Sequence, residues 1–177
     1  MAQGCGADAI GVVLCSDSPR CVELSTARTI FSAVGPFIAR VAVTHTRSRT
    51  ELDAILALRP TAIQISHPFD LSEDTGVRVL QVVGRDTVEF PSCDAYVLDE
   101  SRGSGTLYDP AFARALVARS RIPVILAGGL TSENVASAIA GVQPYAVDVA
   151  SGVETAPGIK DPARIRAFVR ACRGSNQ

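Results

Sequence analysis

The architecture turns on two stretches, Val124-Ile-Leu-Ala-Gly128-Gly129-Leu130 and Val147-Asp148-Val-Ala-Ser151-Gly152-Val-Glu154. Each is a short apolar run followed by glycine. Glycine just past a strand lets a phosphate approach the backbone N–H groups, because no Cβ intervenes. The first stretch leads directly to a helix-like segment at Thr131, and a helix N-terminus favours an anion. In (β/α) barrels the last two loops of this kind frequently build a phosphate site. Neither stretch matches a dinucleotide-binding or Walker loop. Paired tight turns are the alternative reading of both.

The same alternation fills the chain on either side. Apolar, β-branched runs fall at 9–14, 38–43, 61–65, 77–83, 95–98, 123–127 and 146–149. Near-continuous apolarity predicts parallel strands covered on both faces. Segments 25–34, 50–58, 109–119, 131–140 and 161–172 carry apolar residues three and four apart, which predicts one buried helix face each. Asp109-Pro110 and Asp161-Pro162 place a capping carboxylate before proline at the first helical position. Ser48-x-x-Glu51 has the form of a capping box. Seven strands alternating with helices, and no linker, predict a single α/β domain over 1–177 with a parallel sheet. Two forms compete, a doubly wound sheet and a (β/α) barrel. A barrel needs eight strands and usually 200 residues or more, so length alone favours the former.

Composition narrows the function. Lys+Arg is 17 against 18 Asp+Glu, a net charge of −1, which argues against nucleic acid or an anionic membrane as partner. No apolar run reaches the ~18 residues of a spanning helix. Five cysteines without a C-x-x-C pair, and only His45 and His67 beside them, give no reason to expect metal, cofactor or disulfides. With no secretory signal in view, the expected setting is the reducing cytoplasm.

Further segments carry a resemblance. Gly6-Ala-Asp-Ala-Ile-Gly11, Ser18-Pro-Arg20, Leu98-Asp99, Gly103-Ser-Gly105, Ala127-Gly-Gly-Leu130 and the Val147–Glu154 stretch with Pro157-Gly-x-Lys160-Asp161 run in order along the chain. Together they resemble phosphoribosylanthranilate isomerase, a family that performs an Amadori rearrangement in tryptophan biosynthesis. The resemblance implies a TIM-barrel relative and a phosphorylated, carboxylated small-molecule substrate. It places Gly128, Gly129, Ser151 and Gly152 on the phosphate, Arg20 on the aromatic carboxylate, Asp148 near the substrate, and Asp99 as the general acid on the ribose ring oxygen.

The departures carry expectations too. Family members open with a strand ending Lys-x-Cys-Gly, which bears the catalytic base, and this sequence shows no counterpart. The family's Gln-Leu-His-Gly reads Gln64-Ile65-Ser66-His67, and its Gly-Ser-Gly-Lys-Thr-Phe-Asp-Trp reads Gly103-Ser-Gly-Thr106-Leu-Tyr108-Asp-Pro110. Cys15, His45 and His67 follow predicted strands and are candidate substitute bases. A positioned acid or base is worth about 10²–10⁴-fold, so these 177 residues alone are expected to form an impaired isomerase. A repurposed cyclase, lyase or isomerase, and a non-catalytic phosphate-ligand binder, are the alternatives. Seven strands without the first βα unit predict a gapped barrel whose interior takes Val12, Val41, Ile63 or their neighbours, with the open edges covered by a homodimer.

Overall fold

A computed structural model, described for residues 1–69, 71, 76–90, 92–99 and 108–174, shows seven strands in one parallel sheet. They are β1 (Ala9–Val13), β2 (Ala39–Thr44), β3 (Ala62–Ile65), β4 (Arg78–Val83), β5 (Ala95–Leu98), β6 (Val124–Leu126) and β7 (Ala146–Val147). They pair strictly in chain order and curl into a half-barrel. A doubly wound sheet reverses its strand order at a switch point. No such reversal occurs here, so the length-based preference for that form is overturned. The 103–105 segment of the resemblance lies outside the described residues.

Among the described residues, five helices cover the outside: α1 (Leu24–Ser32), α2 (Arg49–Leu56), α3 (Pro110–Arg119), α4 (Val135–Val142) and α5 (Pro162–Gly174). Asp109 caps α3 by accepting from the N–H groups of Ala111 and Phe112 at 2.7 and 3.1 Å. Asp161 does the same at α5 for Ala163 and Arg164. Ser48 caps α2, but Glu51 does not complete the box. Its carboxylate accepts from Thr46 Oγ1 instead, and Thr46 Oγ1 accepts from Ser48 N–H at 2.9 Å. Helix α4 begins four residues later than the periodicity predicts. Asn134 ties up the intervening turn, accepting from Thr131 N–H at 2.8 Å and donating to the Gly129 carbonyl at 3.0 Å.

Strand alternation sets which residues meet the helices. Val12, Ala42, Ile63 and Ile65 pack with Ala27, Phe31, Leu52 and Ile55, so Val12 and Ile63 face helices rather than the barrel interior. Their neighbours Val41 and Ala62 occupy the opposite face. A second core joins Leu98 and Leu126 to Leu116, Val135, Ala138, Ile165 and Phe168.

The described sheet is open between β1 and β7, and the chain's own segments partly close it. Cys21–Val22 returns along the outer edge of β1, with Val22 N–H on the Val13 carbonyl at 3.0 Å. A 3₁₀ turn (Gln3–Cys5) spans the helical layer. Gln3 Oε1 accepts from Gly35 N–H at 2.8 Å, and Arg173 holds the Gly6 carbonyl at 2.9 Å. The N-terminal residues therefore bridge the first and last units, although they add no strand. A hairpin of β8 (Glu154–Ala156) and β9 (Ile159–Lys160), unforeseen in the sequence, follows β7.

Candidate active site

Parallel strands place the loops that follow them at one end of the half-barrel. Asp99 follows β5 and Asp148 follows β7, each tied by its backbone N–H to the preceding strand's carbonyl, Val83 at 3.4 Å and Leu126 at 2.9 Å. Asp148 is hemmed in by protein yet keeps accessible surface, because it faces the open interior. Burial, then the negative charge of Asp99, raises its carboxyl above the ordinary 3.8, with Lys160 and the Val149 N–H pulling the other way. Two carboxyls thus share one field, a setting in which one of them retains its proton more readily.

The two glycine loops meet. Gly128 and Gly129 take φ of +87° and +64°, a region that L residues rarely adopt. Gly152 lies so close to the loop after β6 that an added Cβ would stand 2.0 Å from the Leu130 carbonyl oxygen. Ser151 starts a 3₁₀ turn (Ser151–Val153) and is exposed.

Arg20 sits on the turn after β1, where its N–H donates to Ser18 Oγ at 3.2 Å. Its guanidinium grips Glu154 of β8, with Nε 3.0 and 3.1 Å from the two carboxylate oxygens and Nη2 at 2.8 Å. Glu154 also accepts from Lys160 Nζ at 2.9 Å and Gly158 N–H at 3.2 Å. Burial disfavours its charge, but these donors outweigh burial and hold the carboxyl below its ordinary value. Glu154 and Lys160 were quoted in the sequence without a role. The only signal was their place in the Val147–Lys160 segment, since Glu154 and Arg20 lie 134 residues apart.

The three candidate bases differ. Burial, then Glu51, Cys21 and Glu23, raises the Cys15 thiol, so thiolate is scarce at neutral pH. His67 Nε2 accepts from Arg47 Nε at 3.2 Å. Burial, then the charges of Arg47 and His45, keeps the ring neutral by lowering its pKa. His45 is exposed after β2 and hydrogen-bonds through Nδ1 to Ser66 Oγ at 2.9 Å, which orients the ring.

This arrangement defines a (β/α)-barrel protein with carboxylates, an anchored arginine and paired glycine loops gathered at one mouth. The model of the N-(5'-phosphoribosyl)anthranilate (PRA) isomerase family matches residues 4–171. The N-(5'-phosphoribosyl)anthranilate isomerase of Methanoregula boonei is 58% identical over 173 residues, 97% of this chain and 89% of the relative. That of Pseudomonas fluorescens is 41% identical, covering 97% and 88%. The phosphoribosyl anthranilate isomerase structure from Thermus thermophilus superposes with a TM-score of 0.85 at 35% identity, over 98% and 91% of the two chains. A structure of a phosphoribosyl anthranilate isomerase in complex with reduced 1-(o-carboxyphenylamino)-1-deoxyribulose 5-phosphate gives 0.79 at 30% identity, over 98% and 91%. The chain belongs to the N-(5'-phosphoribosyl)anthranilate isomerase family.

Proposed function

We propose that the chain isomerises N-(5'-phosphoribosyl)anthranilate in tryptophan biosynthesis. The observation that carries this, beside family membership, is the convergence of an anchored arginine, two coupled aspartates and two interlocked glycine loops at one mouth. The substrate's phosphate sits on the loops of Gly128–Gly129 and Ser151–Gly152, and its aromatic carboxylate on Arg20. Asp99 protonates the ring oxygen, and the C1–O bond breaks to give the open-chain imine. A base then removes the C2 proton, and the enaminol rearranges to the aminoketose. Asp148 stands beside the reacting carbons.

Within the described residues, His45 is the group best arranged to take the C2 proton, because Ser66 orients its ring and the residue is exposed at the end of β2. Turnover of the phosphoribosylated substrate by these residues tests this. His45→Ala is expected to lower kcat by about 10²–10⁴-fold. Cys15→Ala is expected to leave it unchanged, and equal turnover in both variants removes His45 from the reaction.

No disulfide joins the five cysteines, and we read the setting as the cytoplasm from the sequence. No described helix is long and apolar enough to cross a membrane. The edge groups of β1 that Cys21–Val22 leaves uncovered, with those of β7, are proposed to meet a second copy of the chain. Light scattering at low micromolar concentration is expected to read a dimer mass. A monomer that unfolds cooperatively would show that the N-terminal bridge suffices.

A further inference from the structure

We propose that Glu154 is a positioning residue: it spans the open side of the half-barrel, seizes the flank of Arg20 and presents the end of the guanidinium to the ligand's carboxylate. This rests on the reading that Arg20 receives that carboxylate. A guanidinium offers two bidentate faces, the Nε/Nη2 flank and the Nη1/Nη2 end. Glu154 takes the flank, at 2.8–3.1 Å. Among the described residues, none accepts a hydrogen bond from Nη1, so the end face remains for a planar carboxylate, which matches it in width.

Burial makes the pair a rigid mount. The Glu154 side chain is 4% exposed and that of Arg20 14%. Arg20 would otherwise have several rotatable bonds to order on binding, and an arginine already held loses less entropy. Glu154 is shared between two cations, Arg20 and Lys160, so it neutralises Arg20 only in part, while Lys160 also attracts Asp148.

The pair also joins the loop after β1 to the hairpin after β7. An added Cβ at Gly158 would lie 3.8 Å from the Pro19 carbonyl oxygen, so the hairpin's turn rests against the Arg20 turn. Lys160 Nζ donates at 3.0 Å to the carbonyl of Ala150, next to Ser151. Glu154 therefore lies between the arginine and Lys160, and it is Lys160 that reaches the glycine loop.

Calorimetric titration with two ligands tests the proposal. One is reduced 1-(o-carboxyphenylamino)-1-deoxyribulose 5-phosphate, and the other is the same molecule without the o-carboxyl group. Glu154→Gln is expected to raise Kd for the first by about 10–100-fold, by analogy with losing the outer partner of a metal ligand. Affinity for the second should be little changed. On an Arg20→Ala background the same substitution should add nothing. Arg20→Lys, which leaves Glu154 intact, should also lose the preference for the carboxylated ligand, because an ammonium cannot serve two bidentate partners. Equal weakening of both ligands by Glu154→Gln would make the residue merely structural and overturn the proposal. So would additivity with Arg20→Ala, or a preference retained by Arg20→Lys. If Arg20→Ala binds the carboxylated ligand as well as the parent does, the assignment of Arg20 itself falls. If Arg20→Ala weakens binding but Glu154→Gln does not, only the positioning role falls.

Discussion

Asp99→Asn lowers the isomerisation rate of the parent chain by about 10²–10⁴-fold, the range for losing one positioned acid. An amide has no proton to give the ring oxygen, yet it fills the same space after β5. The loss therefore falls on kcat. Binding of the anionic product analogue should hold, since the amide keeps the shape of the carboxyl it replaces. The neighbouring carboxyl supplies an independent readout. Asp99 is one of the causes that raise Asp148, so its removal moves Asp148 down toward its ordinary 3.8. An NMR titration of Asp148 reads this without any turnover. A kcat within a few-fold of the parent would mean that another group protonates the leaving oxygen, with Asp148 the first to examine.

Gly152→Val is expected to damage folding and anion binding together. Its Cβ would stand 2.0 Å from the Leu130 carbonyl oxygen, and that contact is backbone, so no side chain can swing aside. Leu130 is 2% exposed and packed in the second core, which limits how far the loop can retreat. Overpacking of this kind costs about 1–3 kcal/mol. For a chain of this size each kcal/mol lowers Tm by about 2–4 °C. The loops after β6 and β7 must part, which takes both glycine loops out of register with a phosphate. Gly141→Ala is the control. Nothing lies within 4 Å of its added Cβ, and it lies within α4, so alanine should stabilise by about 0.5–1 kcal/mol. If Gly152→Val melts and binds phosphate like the parent, the two loops do not form one site.

Much of this arrangement was legible in the sequence, and the limits have physical reasons. Strand and helix periods are local, so β5 was predicted to the residue and the Asp109 and Asp161 caps were read from dipeptides. The strand ends bearing Asp99, Asp148 and the glycine loops followed from the same periods. Groups that depend on distant partners were not legible. The role of Glu154 requires Arg20 at the opposite end of the chain, and the failed capping box requires Thr46 to compete for Glu51. The His45–Ser66 and Arg47–His67 contacts lie across neighbouring loops after β2 and β3 and leave no mark in either segment alone. Length misled as to architecture, because a half-barrel needs less chain than a closed one.

On this reading one mouth holds both anionic ends of a single ligand, the phosphate on the glycine loops and the carboxylate on Arg20. Calorimetric titration of reduced 1-(o-carboxyphenylamino)-1-deoxyribulose 5-phosphate into the parent chain, Arg20→Ala and Gly129→Val measures this directly. The parent should bind one molecule, inorganic phosphate should compete with it, and each variant should weaken it about tenfold or more, since a lost charged hydrogen bond is worth about 1.5–3 kcal/mol. Binding that ignores both substitutions, or a parent chain that binds neither the analogue nor phosphate, would contradict the account.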